Sequence, residues 1–279
     1  MRKWLFRALV AVFASIFLIS GYVLIRDYLQ GRKEQAEFDR LAQIVEQARN
    51  DNEQNNTTQF PQEPDSDPTQ PTEPVLVEVK NSKTGKTEWI LKDYAELYAQ
   101  NSDLAGWISI DGTNINYPVM YRPNVLNYYL YRGFNEKWSN AGSLYIREAC
   151  NPFTPTDNVV IYGHNMKNKT MFYALNNYTQ KNFWQEHKYI RFDTVKEYHT
   201  YEIVAVFKTT ANDGGFDYHL FVNAENEEKF NEYIQKCKDL AFYETGVTAQ
   251  YGDKLIVLST CEYTLNNGRL VVLAKRVSE

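Results

Sequence analysis

Residues 253–277 read DKLIVLSTCEYTLNNGRLVVLAKRV, and no other stretch limits the fold so tightly. Residues 255–259 and 270–274 are short apolar runs with a turn signal, Asn266-Asn267-Gly268, between them, so they predict an antiparallel hairpin. A loop centred near Leu265 sets Cys261 opposite Arg269, with Cα atoms about 4.5–5.5 Å apart and side chains on one face. A thiol then lies beside a fixed cation. The thiolate is the nucleophilic form and a neighbouring positive charge favours it, while a guanidinium can also stabilise an oxyanion on an attacked carbonyl. A cysteine ending an apolar strand is equally a common packing residue, so the hairpin alone does not define a site.

Further short apolar runs at residues 104–110, 115–120, 143–146, 158–162, 189–192 and 201–207 predict strands, the first two joined through Asp111-Gly112. Residues 91–101 read as a helix. Residues 224–243 read as a longer one, in which Phe230, Tyr233, Ile234, Cys237 and Leu240 form a single stripe that makes Cys237 a core residue. Many short strands, few helices and frequent turns predict a mainly β fold, a mixed or Greek-key barrel rather than a parallel α/β sheet. Residues 75–279 fit one domain.

What precedes that domain is built differently. Residues 8–25 carry no charge and follow Arg2, Lys3 and Arg7, which is long enough for a transmembrane helix. No small-x-small cleavage site follows, so residues 1–26 read as an uncleaved anchor, with a cleaved signal peptide as the alternative. The short basic tail favours an amino terminus in the cytoplasm and the bulk of the chain outside the cell, although Arg26, Arg32 and Lys33 on the other flank nearly balance the count. Residues 27–50 predict a stalk helix, with Phe38, Leu41, Ile44 and Val45 at helical spacing and an early interruption at Gly31. Residues 51–74 are polar and proline-rich, the composition of a flexible tether. A net charge of −5 offers no basic excess for nucleic acid.

Three cysteines, Cys150, Cys237 and Cys261, are too few for a disulfide framework. A Cys150–Cys237 bridge is compatible with the count but has no other support, and either way Cys261 is the thiol to explain. An unperturbed thiol is only a few per cent ionised at neutral pH, so a working cysteine usually has an imidazole beside it. His187 and His199 flank predicted strands, where structural roles are the default, and His219 lies in a Gly/Asp-rich loop. His164 directly follows the run 158–162 in Gly163-His164-Asn165, where glycine allows a sharp exit and leaves the ring at a strand end, the kind of position where site residues concentrate. Metal binding has no CxxC, HxxxH or HExxH pair to rest on.

Val257-Leu258-Ser259-Thr260-Cys261, Arg269 at the start of the next strand and Val160-Ile161-Tyr162-Gly163-His164-Asn165 earlier in the chain together resemble the sortases, the cysteine transpeptidases of the Gram-positive cell surface. Val257 stands where the family motif begins with Thr or a similar residue. Residues 127–146 and the long helix ahead of the Cys261 strand make the chain most similar to class B. The resemblance implies a closed β-barrel with N-terminal helices and a long helix inserted before the catalytic strand. It also implies no cofactor and no calcium.

The same resemblance implies roles. Cys261 would attack the carbonyl of a C-terminal sorting-signal pentapeptide on a surface protein, His164 would protonate the leaving amine, and Arg269 would hold the substrate and the oxyanion. The thioacyl intermediate would pass to an amine of a peptidoglycan precursor or stem peptide. Ser259 matches a class B substrate-contact position, and Thr260 and Tyr263 are candidate groove walls. Ser259 reads equally as a strand hydroxyl bonded to its neighbours. Glu262 could orient His164, but a carboxylate beside an exposed site is usually solvated and is left out of the catalytic set. A hydrolytic cysteine peptidase with the same dyad, or a non-enzymatic surface module with Cys261 buried, are the competing readings.

Overall fold

A computed structural model of the chain describes residues 2–59, 74–212 and 214–277. Its centre is a closed eight-stranded barrel. In chain order the strands are β3 (Leu104–Ser109), β4 (Asn116–Met120), β5 (Leu144–Ile146), β6 (Asn158–Tyr162), β7 (Tyr189–Thr194), β8 (Thr200–Thr210), β9 (Leu255–Glu262) and β10 (Gly268–Arg276). Around the barrel they run β10-β8-β7-β3-β4-β5-β6-β9, and β9 closes on β10. The β4–β5 and β6–β9 pairs are parallel and the rest antiparallel, so the barrel is mixed, as the sequence predicts. Every predicted strand is present within a few residues of its expected bounds.

The sequence reading misses an outlying hairpin of β1 (Leu76–Lys80) and β2 (Thr87–Leu91) and the short α3 (Lys181–Glu186). Its strands are only five residues each and mix exposed apolar residues, Leu76 and Trp89, with polar ones, so periodicity does not single them out. The two predicted domain helices appear as α2 (Lys92–Gln100) and α4 (Glu227–Asp239). In α4 the Asn226 side chain accepts from the Lys229 amide as an N-cap, and Phe230, Tyr233, Ile234 and Cys237 are buried.

At the amino terminus, α1 runs from Arg2 to Gln59. It passes through Gly31 without interruption, because an interior glycine costs only about 1 kcal/mol and neighbouring turns supply more than that. Helix continues into residues 51–59 where the composition predicts a tether, and the remainder of that segment, 60–73, lies outside the described residues. Residues 27–50 do not form a free stalk. Phe38, Leu41 and Val45 are buried in the core, and Phe38 meets Tyr117 of β4 edge to face at 5.3 Å. Farther along, Arg49 reaches the buried carboxylates of Asp93 on α2 and Asp193 on β7, at 3.4 and 3.1 Å. Upstream, residues 8–25 stay solvent-facing in this isolated chain, and α1 is long and apolar enough there to cross a membrane by length and composition.

Candidate active site

The β9–β10 hairpin has the register that the sequence predicts: Cys261 pairs with Arg269 and Glu262 with Gly268, which centres the loop on Leu265. Asn267 takes the left-handed turn position, with φ 56°, a conformation that asparagine tolerates better than most residues. On its other side β9 runs parallel to β6, with Tyr162 beside Ser259. Two residues beyond that pair stand His164, just past the end of β6, and Cys261, still on β9. The barrel order β10-β9-β6 therefore puts Arg269 and His164 on opposite flanks of the thiol.

Hydrogen bonds lash the segment around His164 to β9. The Gly163 amide donates to the Ser259 carbonyl at 3.1 Å, and Thr260 Oγ1 donates to the Gly163 carbonyl at 2.7 Å. Asn165 Nδ2 donates to the Cys261 carbonyl at 2.9 Å, and the Tyr263 hydroxyl donates to the Asn165 carbonyl at 3.1 Å. Asn165 is itself 8% exposed and exchanges hydrogen bonds with Asn176. Sequence reasoning gave it no role, although its place next to His164 was the available signal.

The His164 ring is oriented from the backbone. Its Nε2 lies 2.8 Å from the Leu130 carbonyl, which can only accept, so Nε2 carries the hydrogen and Nδ1 is the basic nitrogen of the neutral ring. His164, Cys261 and Arg269 line one cavity of about 420 Å³, with Ser259, Thr260 and Tyr218 among its other walls. Arg269 is braced by its Nη1, which donates to the Gly268 carbonyl at 2.9 Å and the Asn267 carbonyl at 3.2 Å.

The remaining candidates separate. Ser259 and Thr260 border the cavity but are 1% and 2% exposed. Ser259 Oγ lies 2.6 Å from the Tyr218 hydroxyl, and Thr260 is bonded to Gly163, so both hydroxyls are engaged inside the protein. Tyr263 is 74% exposed and stands outside the cavity wall, tied to Asn165. Of the other histidines, His187 Nδ1 lies 2.8 Å from the Asp111 carbonyl, and burial, with Arg276 adding to it, pushes His199 down to about 4. His219 does reach the cavity, and burial followed by the nearby Arg147 lowers its pKa. Cys150 and Cys237 are free and buried, and burial raises both thiols away from ionisation.

Glu262 is neither solvated nor a partner of His164. It is 7% exposed and accepts from Lys208 Nζ (2.8 Å), Thr264 Oγ1 (2.7 Å) and the amides of Thr264 and Leu265 (both 3.0 Å). Burial raises its pKa, but these donors outweigh burial and hold it at about 2. The carboxylate thus fastens the loop that presents Cys261 and Arg269. A depressed pKa stabilises the fold fully above the unfolded value near 4.3 and loses that contribution as pH falls toward 2. Glu262→Gln is expected to lower stability at pH 7 by about 1–3 kcal/mol and to flatten the acid limb between pH 4 and 2, read by urea titrations at several pH values. An unchanged acid limb would remove the clamp.

Gly163 is glycine for a reason other than a sharp exit. It is not in the left-handed region, and a Cβ there would come within 2.3 Å of Leu144 Cδ2 and 2.6 Å of the Phe172 ring, both side chains fully buried. Gly163→Ala is expected to cost about 1–3 kcal/mol by overpacking and to displace His164, with peptide cleavage falling at least tenfold. Cleavage at the wild-type rate would show that the ring tolerates the shift.

The sortase domain model matches residues 108–277 of this chain, which takes in the barrel from the end of β3 onward and all three of Cys261, His164 and Arg269. The chain belongs to the sortase family. Sortase B of Listeria monocytogenes is 30% identical over 207 residues, 73% of this chain and 82% of the relative. Sortase B of Staphylococcus aureus is 24% identical over 262 residues, 93% of this chain and 91% of the relative. A structure of the Staphylococcus aureus sortase B–substrate complex has the same fold, with a TM-score of 0.70 at 23% identity over 90% of this chain and 99% of that one. Class B is the branch these relatives share, and the long helix α4 ahead of β9 is in the place expected for it.

Proposed function

We propose that this sortase is a membrane-anchored transpeptidase that cleaves a C-terminal sorting signal through a thioacyl intermediate and joins the protein to a peptidoglycan amine. The observation that carries the reading is the flanking of Cys261 by His164, just past the end of β6, and Arg269 on β10 within one cavity. His164 and Cys261 exchange one proton, giving thiolate and imidazolium, and the adjacent guanidinium favours the anionic sulfur. Sγ adds to the scissile carbonyl and Arg269 stabilises the oxyanion. The C–N bond breaks and the departing amine takes the proton from His164, which leaves a thioester. The amine of a peptidoglycan precursor or stem peptide then adds to that thioester, gives its proton to His164 and releases the thiolate. One peptide bond replaces another, with no oxidant or reductant.

The uncharged residues 8–25 support anchoring through α1, with a cytoplasmic amino terminus and an extracellular barrel. Incubating the full chain with a panel of candidate sorting peptides, with and without a stem-peptide amine, tests the reading by mass spectrometry. Transfer product in the presence of the amine is the expected result. Exclusive hydrolysis at saturating amine would favour a cysteine peptidase instead.

A further inference from the structure

The segment between β4 and β5 carries an aromatic surface that the reaction scheme leaves unused. Tyr131 and Trp138 stack with ring centroids 5.3 Å apart and planes 10° from parallel, yet they are 44% and 70% exposed. The Tyr131 ring lies in turn 5.3 Å from the imidazole of His164. Three rings therefore step outward from the reacting centre to solvent. The step starts on the His164 flank of Cys261, opposite the β10 flank that carries Arg269.

This surface is preformed. Arg132 and Trp138 pair as an isolated bridge, the Ser139 amide donates to the Tyr131 carbonyl at 3.1 Å, and Trp138 Nε1 donates to Asn140 Oδ1 at 3.3 Å. Burying two large aromatic faces would be favourable, so leaving them exposed on a rigid turn marks a contact surface. The same region touches α1 close to its apolar segment. The Asn140 amide donates to Glu34 Oε1 at 3.0 Å, and Asn168, four residues after His164, lies 3.5 Å from where a Cβ on Gly31 would be. Gly31 and Glu34 are six and nine residues past Ile25, or about 9–14 Å along a helix.

We propose that Tyr131 and Trp138 form a sugar-binding platform that receives the carbohydrate of the peptidoglycan acceptor and directs its amine to the thioester from the His164 side. This deepens the transpeptidase reading and rests on it. The C–H face of a pyranose would stack on the outer face of Trp138, which Tyr131 backs, while its hydroxyls would find polar partners among Arg132, Lys137 and Asn140 of the same turn. In this arrangement the sorting peptide takes the cavity that Cys261 and Arg269 line, and the sugar takes the exposed aromatic surface beyond Tyr131. A membrane-linked acceptor would come near the platform, since its neighbour Asn140 touches α1 at Glu34, nine residues past the apolar run.

Two measurements on the full chain in detergent decide it. In the Cys261→Ala protein, the indole N–H signal of Trp138, assigned by its loss in Trp138→Phe, is followed by NMR during titration with the N-acetylglucosamine–N-acetylmuramic acid disaccharide. A saturable shift that Tyr131→Leu abolishes is expected, and no shift at millimolar sugar overturns the platform. In the active protein, stem-peptide amines with and without the disaccharide compete for transfer. The sugar-bearing amine should be favoured roughly tenfold in kcat/KM, and Trp138→Ala should bring the ratio close to one. No preference in the wild type, or one that survives in Trp138→Ala, overturns the proposal. Absence of transfer to either amine would instead sink the transpeptidase reading, and the indole titration would still decide whether the platform binds sugar.

Discussion

Cys261→Ala is expected to abolish peptide cleavage and amine transfer, by at least about 10³-fold, while leaving the barrel folded. The chemical step needs a nucleophile that can hold the acyl group between donor and acceptor, and alanine removes it while sparing His164 and Arg269. Neither Cys150 nor Cys237 can substitute, because both are buried and burial disfavours their thiolates. Folding should survive, since Cys261 is only partly buried at the end of β9, and the backbone carbonyl that accepts from Asn165 remains. The thermal midpoint and the mass of a trapped acyl-enzyme check the two halves separately. Cleavage retained above about a tenth of the wild-type rate would reassign the nucleophile.

Arg49→Ala is expected to be the most destabilising surface-accessible substitution in α1. Arg49 reaches Asp193 at 3.1 Å, Asp93 at 3.4 Å and the Tyr94 hydroxyl at 2.6 Å, and the two carboxylates are 0% and 4% exposed. Removing the guanidinium leaves buried negative charge undercompensated, which typically costs 3–5 kcal/mol. Here the cost is softened. Arg191 Nε still meets Asp193 at 2.8 Å, and Asp93 still accepts from Tyr198 at 2.9 Å and Asn52 at 2.6 Å. A loss of about 2–4 kcal/mol follows, or roughly 5–15 °C in Tm for a domain of this size. Arg49→Lys, which keeps the charge without the fork, should fall between. An unchanged midpoint in Arg49→Ala would mean that α1 is not clamped to the barrel and that residues 27–50 are a free stalk after all.

Much of the site is legible because it is local. The spacing from Cys261 to Arg269 around Asn266-Asn267-Gly268 fixes a hairpin register, and a register fixes which side chains face each other, so the thiol–guanidinium pair needs no knowledge of the rest of the fold. The periodic stripe of α4 likewise identifies Cys237 as core before any contact is known. Glu262 was misread for the complementary reason. Its fate depends on Lys208, 54 residues away on β8, and a carboxylate with a remote partner has no signature distinct from a solvated one. Residues 27–50 were separated from the domain because amphipathic spacing tells that a helix has a buried face but not what buries it; Asp93 and Asp193 supply that answer only once folded.

By itself the sequence determined the barrel strands, the Cys261 hairpin, the apolar amino-terminal segment and the set of side chains able to do thiol chemistry, since each follows from periodicity or residue type within a short window. Tertiary structure decided the rest: the parallel alignment of β6 with β9 that carries His164 to Cys261, the Leu130 carbonyl that selects its tautomer, and the docking of α1. These depend on closing loops of some thirty to a hundred and fifty residues, and that closure is governed by the packing of the whole barrel rather than by any local preference of the chain.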